Sequence, residues 1–451
     1  MSSLLSAEKA KRPRLKFGML SLLGAFIYLC PVPTEQSFTI PFGMALDWFN
    51  APDWPIVSLI LVTVTIISAV LTTVMSIAKL GPREGFIAET FRVSPLWVIL
   101  RVLGATFCIL YFTGAGPEMV TAQATGGTVI GFLVQNLLAL FLLASLTLPL
   151  LTNYGLMEFV GVFTSGIFKR LFHLPGRAAI GGMASWLGSA PVGAMMTVQQ
   201  YNNGFFTQRE AVTVATTFAV ASVPFCYVIA QIVGLESVFL SFYASIVFIG
   251  VVCAIILPRI PPLSCFSNTY KPGTNESPTG LIRPDESMFQ AGVRLGVARA
   301  ETSGGMSDFA KASIRNLIDT WFGLIPATLA IAMISVMVAE YTPVFNWLSF
   351  PFASLLEWLN VADAQKAAPG MIVGFADMYL PSLLGTHIES QETRFLIGVL
   401  SVSQLIYMSE VGALLLRSNL GIKLWHLIIL FLIRTLISIP IAILLARYVV
   451  F

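Results

Sequence analysis

Nine apolar runs dominate this chain, at residues 17–33, 55–78, 95–114, 128–152, 208–233, 236–258, 317–340, 393–416 and 420–447. A helix rises 1.5 Å per residue, so about 20 apolar residues cross the roughly 30 Å hydrocarbon core of a bilayer. Each run approaches or exceeds that length. Of the 451 residues, 56% are hydrophobic and 11% charged, and the mean hydropathy is +0.82. A soluble domain carries about 25% charged residues. A single large soluble enzyme and a disordered or fibrous chain are excluded. The expected class is an all-α polytopic membrane protein seated in the lipid bilayer, with about nine spanning helices.

The chemistry-bearing residues are sparse. The five cysteines form no CxxC pair, and four of them lie inside apolar runs, where cysteine behaves as a small hydrophobe. His173, His387 and His426 are too scattered for a zinc motif. No GxxxxGK[ST] phosphate loop occurs, and no nucleophile–base pair stands out. No metal, cofactor or enzymatic activity is expected, and the small net charge of +3 gives no footprint for nucleic acid. The first run has no small-residue cleavage site after it, so it reads as a retained helix.

Lysine and arginine set the orientation. With the N-terminus in the cytoplasm, 21 of the 26 basic residues fall in cytoplasmic segments, among them Lys9, Lys11, Arg12, Arg14 and Lys16. The outer segments hold only Lys366, Arg394 and Arg447, and are otherwise acidic. Arg101 and Arg434 lie within spans. Arg101 is expected to snorkel to the near interface, whereas Arg434 is deeper. The expected location is a bacterial inner membrane.

Two further stretches, 178–203 and 367–389, are apolar but broken by Gly, Pro and polar residues. Irregular backbone survives at membrane depth only where protein or water covers it, so both read as re-entrant helical hairpins. An amphipathic stretch, 155–173 or 343–362, precedes each and is expected to lie along the interface. The first half then orders as span 128–152, interfacial stretch, hairpin and two spans. The second half repeats that order from 317 with opposite orientation. An inverted repeat of this kind is a transporter signature, with the binding site where broken helices meet near the midplane. The chain therefore divides into a basic tail (1–16), N-terminal spans (17–127), a first repeat (128–258), a polar cytoplasmic loop (259–316) and a second repeat (317–451). The loop's first half reads as flexible linker and 286–300 as a short amphipathic helix.

Several segments resemble a known family. They are Gly155-Leu-Met-Glu-Phe-Val-Gly-Val-Phe163, Leu174-Pro-Gly-Arg-Ala-Ala-Ile180, Gly188-Ser-Ala-Pro-Val-Gly-Ala-Met-Met-Thr197 and Thr207-Gln-Arg-Glu210. They look like the nucleoside-recognition or Gate domain of concentrative nucleoside transporters, the membrane part of ferrous-iron transporter B and spore-maturation membrane proteins. The nearest resemblance is to the bacterial YjiH-like family. It implies a helical membrane protein of the transporter type, acting alone, as a homo-oligomer or with a partner Gate-domain membrane protein. The chain departs from the Gln-Thr-Glu hairpin motif of nucleoside transporters.

Candidate solute-binding residues follow from the breaks. In the first hairpin, Gly188, Pro191 and Gly193 mark the tip, where unpaired backbone groups face the midplane. Ser189 adds a hydroxyl there, and Thr197 and Gln200 share a face of the second leg. In the next span Pro224 interrupts the run, and Ser222 stands beside it. In the second hairpin Asp377 lies near Pro381; a charge at membrane depth costs about 3 kcal/mol on insertion scales. Ser403, Gln404 and Glu410 follow, with Ser403, Tyr407 and Glu410 on one helical face. Glu410 suits proton coupling, or else a structural ion pair with Arg434. The expected activity is secondary active transport of a small polar organic solute (nucleoside-like, amino acid or peptide), coupled to protons or sodium. The alternative is a non-transporting Gate-domain scaffold or regulatory membrane protein.

Overall fold

The computed structural model describes residues 2–33, 38–50, 55–183, 185–186, 190–218, 221–271, 281–283, 285–408 and 411–451. The basic tail and first apolar run form one helix, α1 (Ser2–Leu29). Two-residue strands, Val32–Pro33 and Phe38–Thr39, pair antiparallel after it. Then come α2 (Pro41–Asn50), α3 (Pro55–Ser76), α4 (Phe86–Phe91), α5 (Pro95–Thr113), α6 (Glu118–Thr121), a π-helical stretch (Gln123–Val134) and α7 (Gln135–Thr152). Beyond a bend lies α8 (Leu156–Leu171). The first hairpin is α9 (Ala178–Met183) and α10 (Ala190–Asn202). It is followed by α11 (Gln208–Thr217), α12 (Val223–Ile232) and α13 (Phe239–Ile256).

The polar loop carries α14 (Met288–Thr302), close to the expected 286–300, while the linker residues 272–280 lie outside the described residues. A long helix follows: α15 (Met306–Ile318), a π-helical turn (Asp319–Leu324) and α16 (Ile325–Tyr341). Helix α17 (Val344–Trp358) precedes the second hairpin, built from α18 (Ala364–Ala367), α19 (Gly370–Val373) and α20 (Tyr379–Gly385). The chain closes with α21 (Gln391–Ser403), α22 (Val411–Arg417) and α23 (Leu424–Leu445). The protein is all-α and polytopic.

Five helices among the described residues are long and apolar enough to cross a membrane unbroken: Ile56–Ser76, Pro95–Thr113, Glu236–Arg259, Met306–Tyr341 and Leu424–Val450. The pair α7 and α8, bent by 60°, makes a sixth at most. Residues 17–29 of the first run form the second half of α1, and runs 208–233 and 393–416 are interrupted rather than continuous.

Local chemistry explains the bends. Gly155 begins α8 at φ +98°, a conformation only glycine adopts freely, and a Cβ there would strike the carbonyl oxygen of Gly296 on α14. Proline shapes the long helix differently. Pro326 lacks an N–H, so the carbonyl of Phe322 one turn back loses its helical donor. The Ser68 hydroxyl of α3 donates to that carbonyl instead. A Cβ on Gly104 of α5 would strike the Pro326 carbonyl, so α5 and α16 meet backbone to backbone.

Side-chain bonds tie the loops into two separate groups. At one end, Arg315 pairs with Glu89, Arg299 with Glu158, Arg209 donates to Pro258, and Lys271 to Asn202. At the other, Asp47 accepts from Tyr227 and Gln231, Arg394 donates to Val233, and Arg447 lies 3.5 Å from Glu392. The first end gathers the segments rich in Lys and Arg, the second the acidic ones. They are called the basic end and the acidic end below.

Candidate solute-binding cavity

Two broken helices meet in the interior. Between α11 and α12 the chain leaves helical geometry, and Ser222 sits at the N-cap of α12 with extended backbone (φ −66°, ψ 160°). Pro224 falls in the first turn of α12, where no N–H is needed. The interruption expected at Pro224 thus takes the form of a new helix start. The second break lies between α21 and α22. Leu405 there takes φ +60°, a strained left-handed conformation for a leucine. Neighbours hold it in place. The Tyr407 hydroxyl lies 2.9 and 2.7 Å from the carbonyls of Ser401 and Val402, and the Ser401 hydroxyl donates to the Met378 carbonyl.

Beside these breaks lies a cavity of about 960 Å³. Its deep wall is Ala221, Ser222, Phe225, Met378 and Tyr407, from both broken helices and the second hairpin's tip. Helix α10 contributes Met195, Val198, Gln199 and Asn202, spaced at i, i+3, i+4 and i+7 along one face. The opposite wall is Trp97 and Arg101 of α5 with Asp319, Thr320 and Gly323 of the π-helical turn. Glu89, Arg92 and Ser94 frame the mouth, so the cavity opens toward the basic end.

Arg101 does not snorkel to the interface as expected. It is 4% exposed, and Nη1 donates to Thr72 Oγ1 at 2.8 Å and to the Thr90 carbonyl at 2.9 Å. Gly323 sits between it and Asp319: a Cβ there would lie 3.4 Å from Asp319 Oδ1 and 3.5 Å from Arg101 Nη2. This cationic–anionic wall was missed from sequence. Its signal was Asp319, an acid three residues into an apolar run.

Of the sequence candidates, Ser222 lines the cavity, and its side chain makes no capping bond. Thr197 and Gln200 lie on the other face of α10 and line a separate, smaller cavity; the Thr197 hydroxyl donates to the Gly193 carbonyl at 2.8 Å. Pro191 falls in the first turn of α10. Gly193 is where the hairpin legs touch, since a Cβ there would strike Ser185. Gly188, Ser189 and Glu410 lie outside the described residues.

Asp377, 4% exposed, accepts from the Tyr379 backbone N–H at 2.9 Å, holding the start of α20, whose first turn contains Pro381. Gln404 donates to the Met371 carbonyl at 2.9 Å and to Thr435 at 3.0 Å, and its Oε1 occupies the space beside Gly374. Ser403 gives its carbonyl to Arg434 Nε. Arg434 is 1% exposed, and its Nη1 and Nη2 find no hydrogen-bond partner among the described residues. Ser403, Gln404 and Asp377 therefore surround the second hairpin's tip, while Ser222 faces the open cavity. Among the described residues no cluster of His, Cys, Asp and Glu is arranged to hold a metal ion.

A sequence model of the Gate family, described as nucleoside recognition, matches residues 134–236, from the start of α7 to just past α12. Over 438 residues the chain is 40% identical to an uncharacterized protein of Alkalihalophilus pseudofirmus, an alignment covering 96% of this chain and 94% of that one. The chain belongs to the Gate-domain membrane proteins. Its Gate region contains the first hairpin and the first broken helix, so the matched segment supplies one side of the cavity. No solved structure matches the chain.

Proposed function

We propose that this multi-pass membrane protein is a secondary active transporter of a small polar organic solute. The observation that carries this reading is the 960 Å³ cavity where two interrupted helices meet the tip of a hairpin. Interrupted helices expose backbone donors and acceptors, and transporters place their substrates against such breaks. The volume falls within the range of small-molecule sites. Ser222, Gln199 and Asn202 are neutral donor–acceptor groups suited to hydroxyls and amides, and Phe225 and Trp97 supply apolar faces. The solute is neutral or zwitterionic: a nucleoside-like molecule, an amino acid or a short peptide. A bare transition-metal ion would want imidazole or thiolate ligands, and the described lining holds neither His nor Cys.

The basic end is cytoplasmic by the charge bias, which makes the described conformation inward-facing, in a bacterial inner membrane. Within the Gate family, the likeness of the segments quoted above favours the YjiH-like proteins as its nearest group. Coupling is to protons or sodium. Glu410, which follows Tyr407 by three residues in the sequence, is the candidate carrier of the coupling proton, the alternative role being an ion pair with Arg434. Calorimetry of the purified chain with a uridine, leucine and dipeptide series tests the site. Binding of one class, weakened about tenfold by Ser222→Ala, supports it. Tight binding of ferrous iron or a nucleotide, indifferent to that change, contradicts it.

A further inference from the structure

A second cavity, of about 330 Å³, shares no lining residue with the first. It lies at the basic end, between the first hairpin and the polar loop. Its hairpin side is Ile180 and Gly181 of α9 with Met196, Thr197 and Gln200 of α10. Its loop side is Leu281, Arg283, Arg294 and Leu295, and its flanks are Glu158 of α8 and Arg177. The loop side is a docked cap. Helix α14 buries Ala291, Gly292, Gly296 and Ala300, and the absence of side chains at Gly292 and Gly296 lets Phe159 and Phe17 approach.

The charges in this cavity are unevenly used. Arg294 is paired through Nε and Nη2: it makes two 2.8 Å bonds to Glu286 and donates to the Leu281 carbonyl. Arg177 lies over the Phe205 ring at 3.7 Å, and the structure shows no hydrogen bond from its guanidinium among the described residues. Arg283 is exposed at the rim. Facing them are acceptors. Glu158 places Oε1 3.7 Å from Arg299, but its Oε2 is buried with no hydrogen-bond partner. Gln200 Oε1 is likewise buried and unpartnered; a carboxamide can turn either way, but a carboxylate oxygen only accepts. A buried acceptor left without a donor costs about 1–3 kcal/mol. The remaining wall is apolar: Ile180, Met196, Phe206, Leu281 and Leu295.

We propose that this cavity binds a small zwitterion with an apolar body, its anionic group on Arg177 and Arg283 and its ammonium on Glu158 and Gln200. The occupant would touch the cap and both legs of the hairpin at once. It therefore ties α14 to the hairpin whose α10 borders the transport cavity, and acts as an intracellular brake on hairpin movement. Two sources carry this chemistry: a free amino acid with an apolar side chain, and the head group of an ethanolamine phospholipid.

The test is calorimetry of the full chain in detergent with four probes: L-leucine, 4-methylpentanoate (no ammonium), 3-methylbutylamine (no carboxylate) and glycerophosphoethanolamine. Leucine or glycerophosphoethanolamine, whichever is the source, should bind at least about tenfold more tightly than both singly charged probes. Glu158→Gln and Arg177→Gln should each weaken it by roughly tenfold, and should do so equally in a Ser222→Ala background, which removes the contribution of the other cavity. Hydrogen exchange across residues 288–302 should slow when the zwitterion is added. Equal affinity for a zwitterion and a singly charged probe overturns the proposal, and so does no binding of either zwitterion. The probe comparison on the wild type decides even if a variant misfolds. Because Ser222→Ala separates the cavities, failure here leaves the transport reading intact.

Discussion

Single side chains decide where the backbone leaves the helix. Tyr407 is the clearest case. Its hydroxyl lies against two carbonyls freed at the end of α21, and its ring borders the large cavity. Tyr407→Phe removes the hydroxyl and keeps the ring, so buried carbonyls lose a partner at about 1–3 kcal/mol. The thermal unfolding midpoint in detergent should fall by several degrees; an unchanged midpoint would show that the break is held by other means. This break was not legible in the sequence. Ser403-Gln404-Leu405-Ile406-Tyr407 has neither Gly nor Pro and reads as continuing helix. Long-range bonds override its local preference, from Ser401 to Met378 and from Arg434 to Ser403. The α11–α12 interruption was legible at Pro224, but its form, a new helix begun by Ser222 and Pro224, was not. Periodicity also gave the two faces of α10. It did not say which one looks into the cavity, since that depends on which neighbours the hairpin meets.

Elements meet through contacts that pH and small residues tune in opposite ways. At the acidic end, α2 is latched to α12 by Asp47, whose two oxygens lie 2.5 Å from the Tyr227 hydroxyl and 2.6 Å from Gln231 Nε2. Burial raises the Asp47 pKa, and the two hydrogen bonds oppose that. A raised carboxyl pKa means the folded state holds its proton to higher pH than the unfolded state. The burial penalty is then absent below the ordinary aspartate pKa and grows as pH rises through the folded value. At the basic end, the Arg294 hydrogen bond chiefly lowers the Glu286 pKa. That contribution is present above the ordinary glutamate pKa and is lost as pH falls through the folded value. Hydrogen exchange, corrected for intrinsic rates, should therefore show 288–302 loosening in acid while 41–50 does not. Simultaneous loosening of both would refute the latch assignment. Close packing gives a second expectation. Gly104→Ala forces α5 and α16 apart at a cost of about 1–3 kcal/mol, seen as a lower unfolding midpoint. A neutral outcome would mean that the helices can slide past each other freely.

Across the whole molecule, positive charge gathers at one end, and the large cavity's Glu89 and Asn202 belong to that end. The apolar runs and the 21-to-3 bias made the membrane class and the two ends readable from sequence, because both are sums over many residues. The cavity's far wall of Arg101, Asp319 and Trp97 was not readable, because it forms only when α5 meets the π-helical turn of the long helix. Sidedness is checked in whole cells with a cysteine-free background. A cysteine at exposed Lys366 should react with an impermeant thiol reagent, and one at exposed Lys311 should not; the reverse pattern would invert the topology. The most direct test of transport is solute counter-flow in proteoliposomes, with the solute identified by thermal shift. The wild type should show saturable exchange, and Ala221→Trp, which fills the deep wall of the cavity, should abolish it while the protein remains folded. No saturable exchange with any binding solute, or full exchange by the filled variant, would contradict the transporter account.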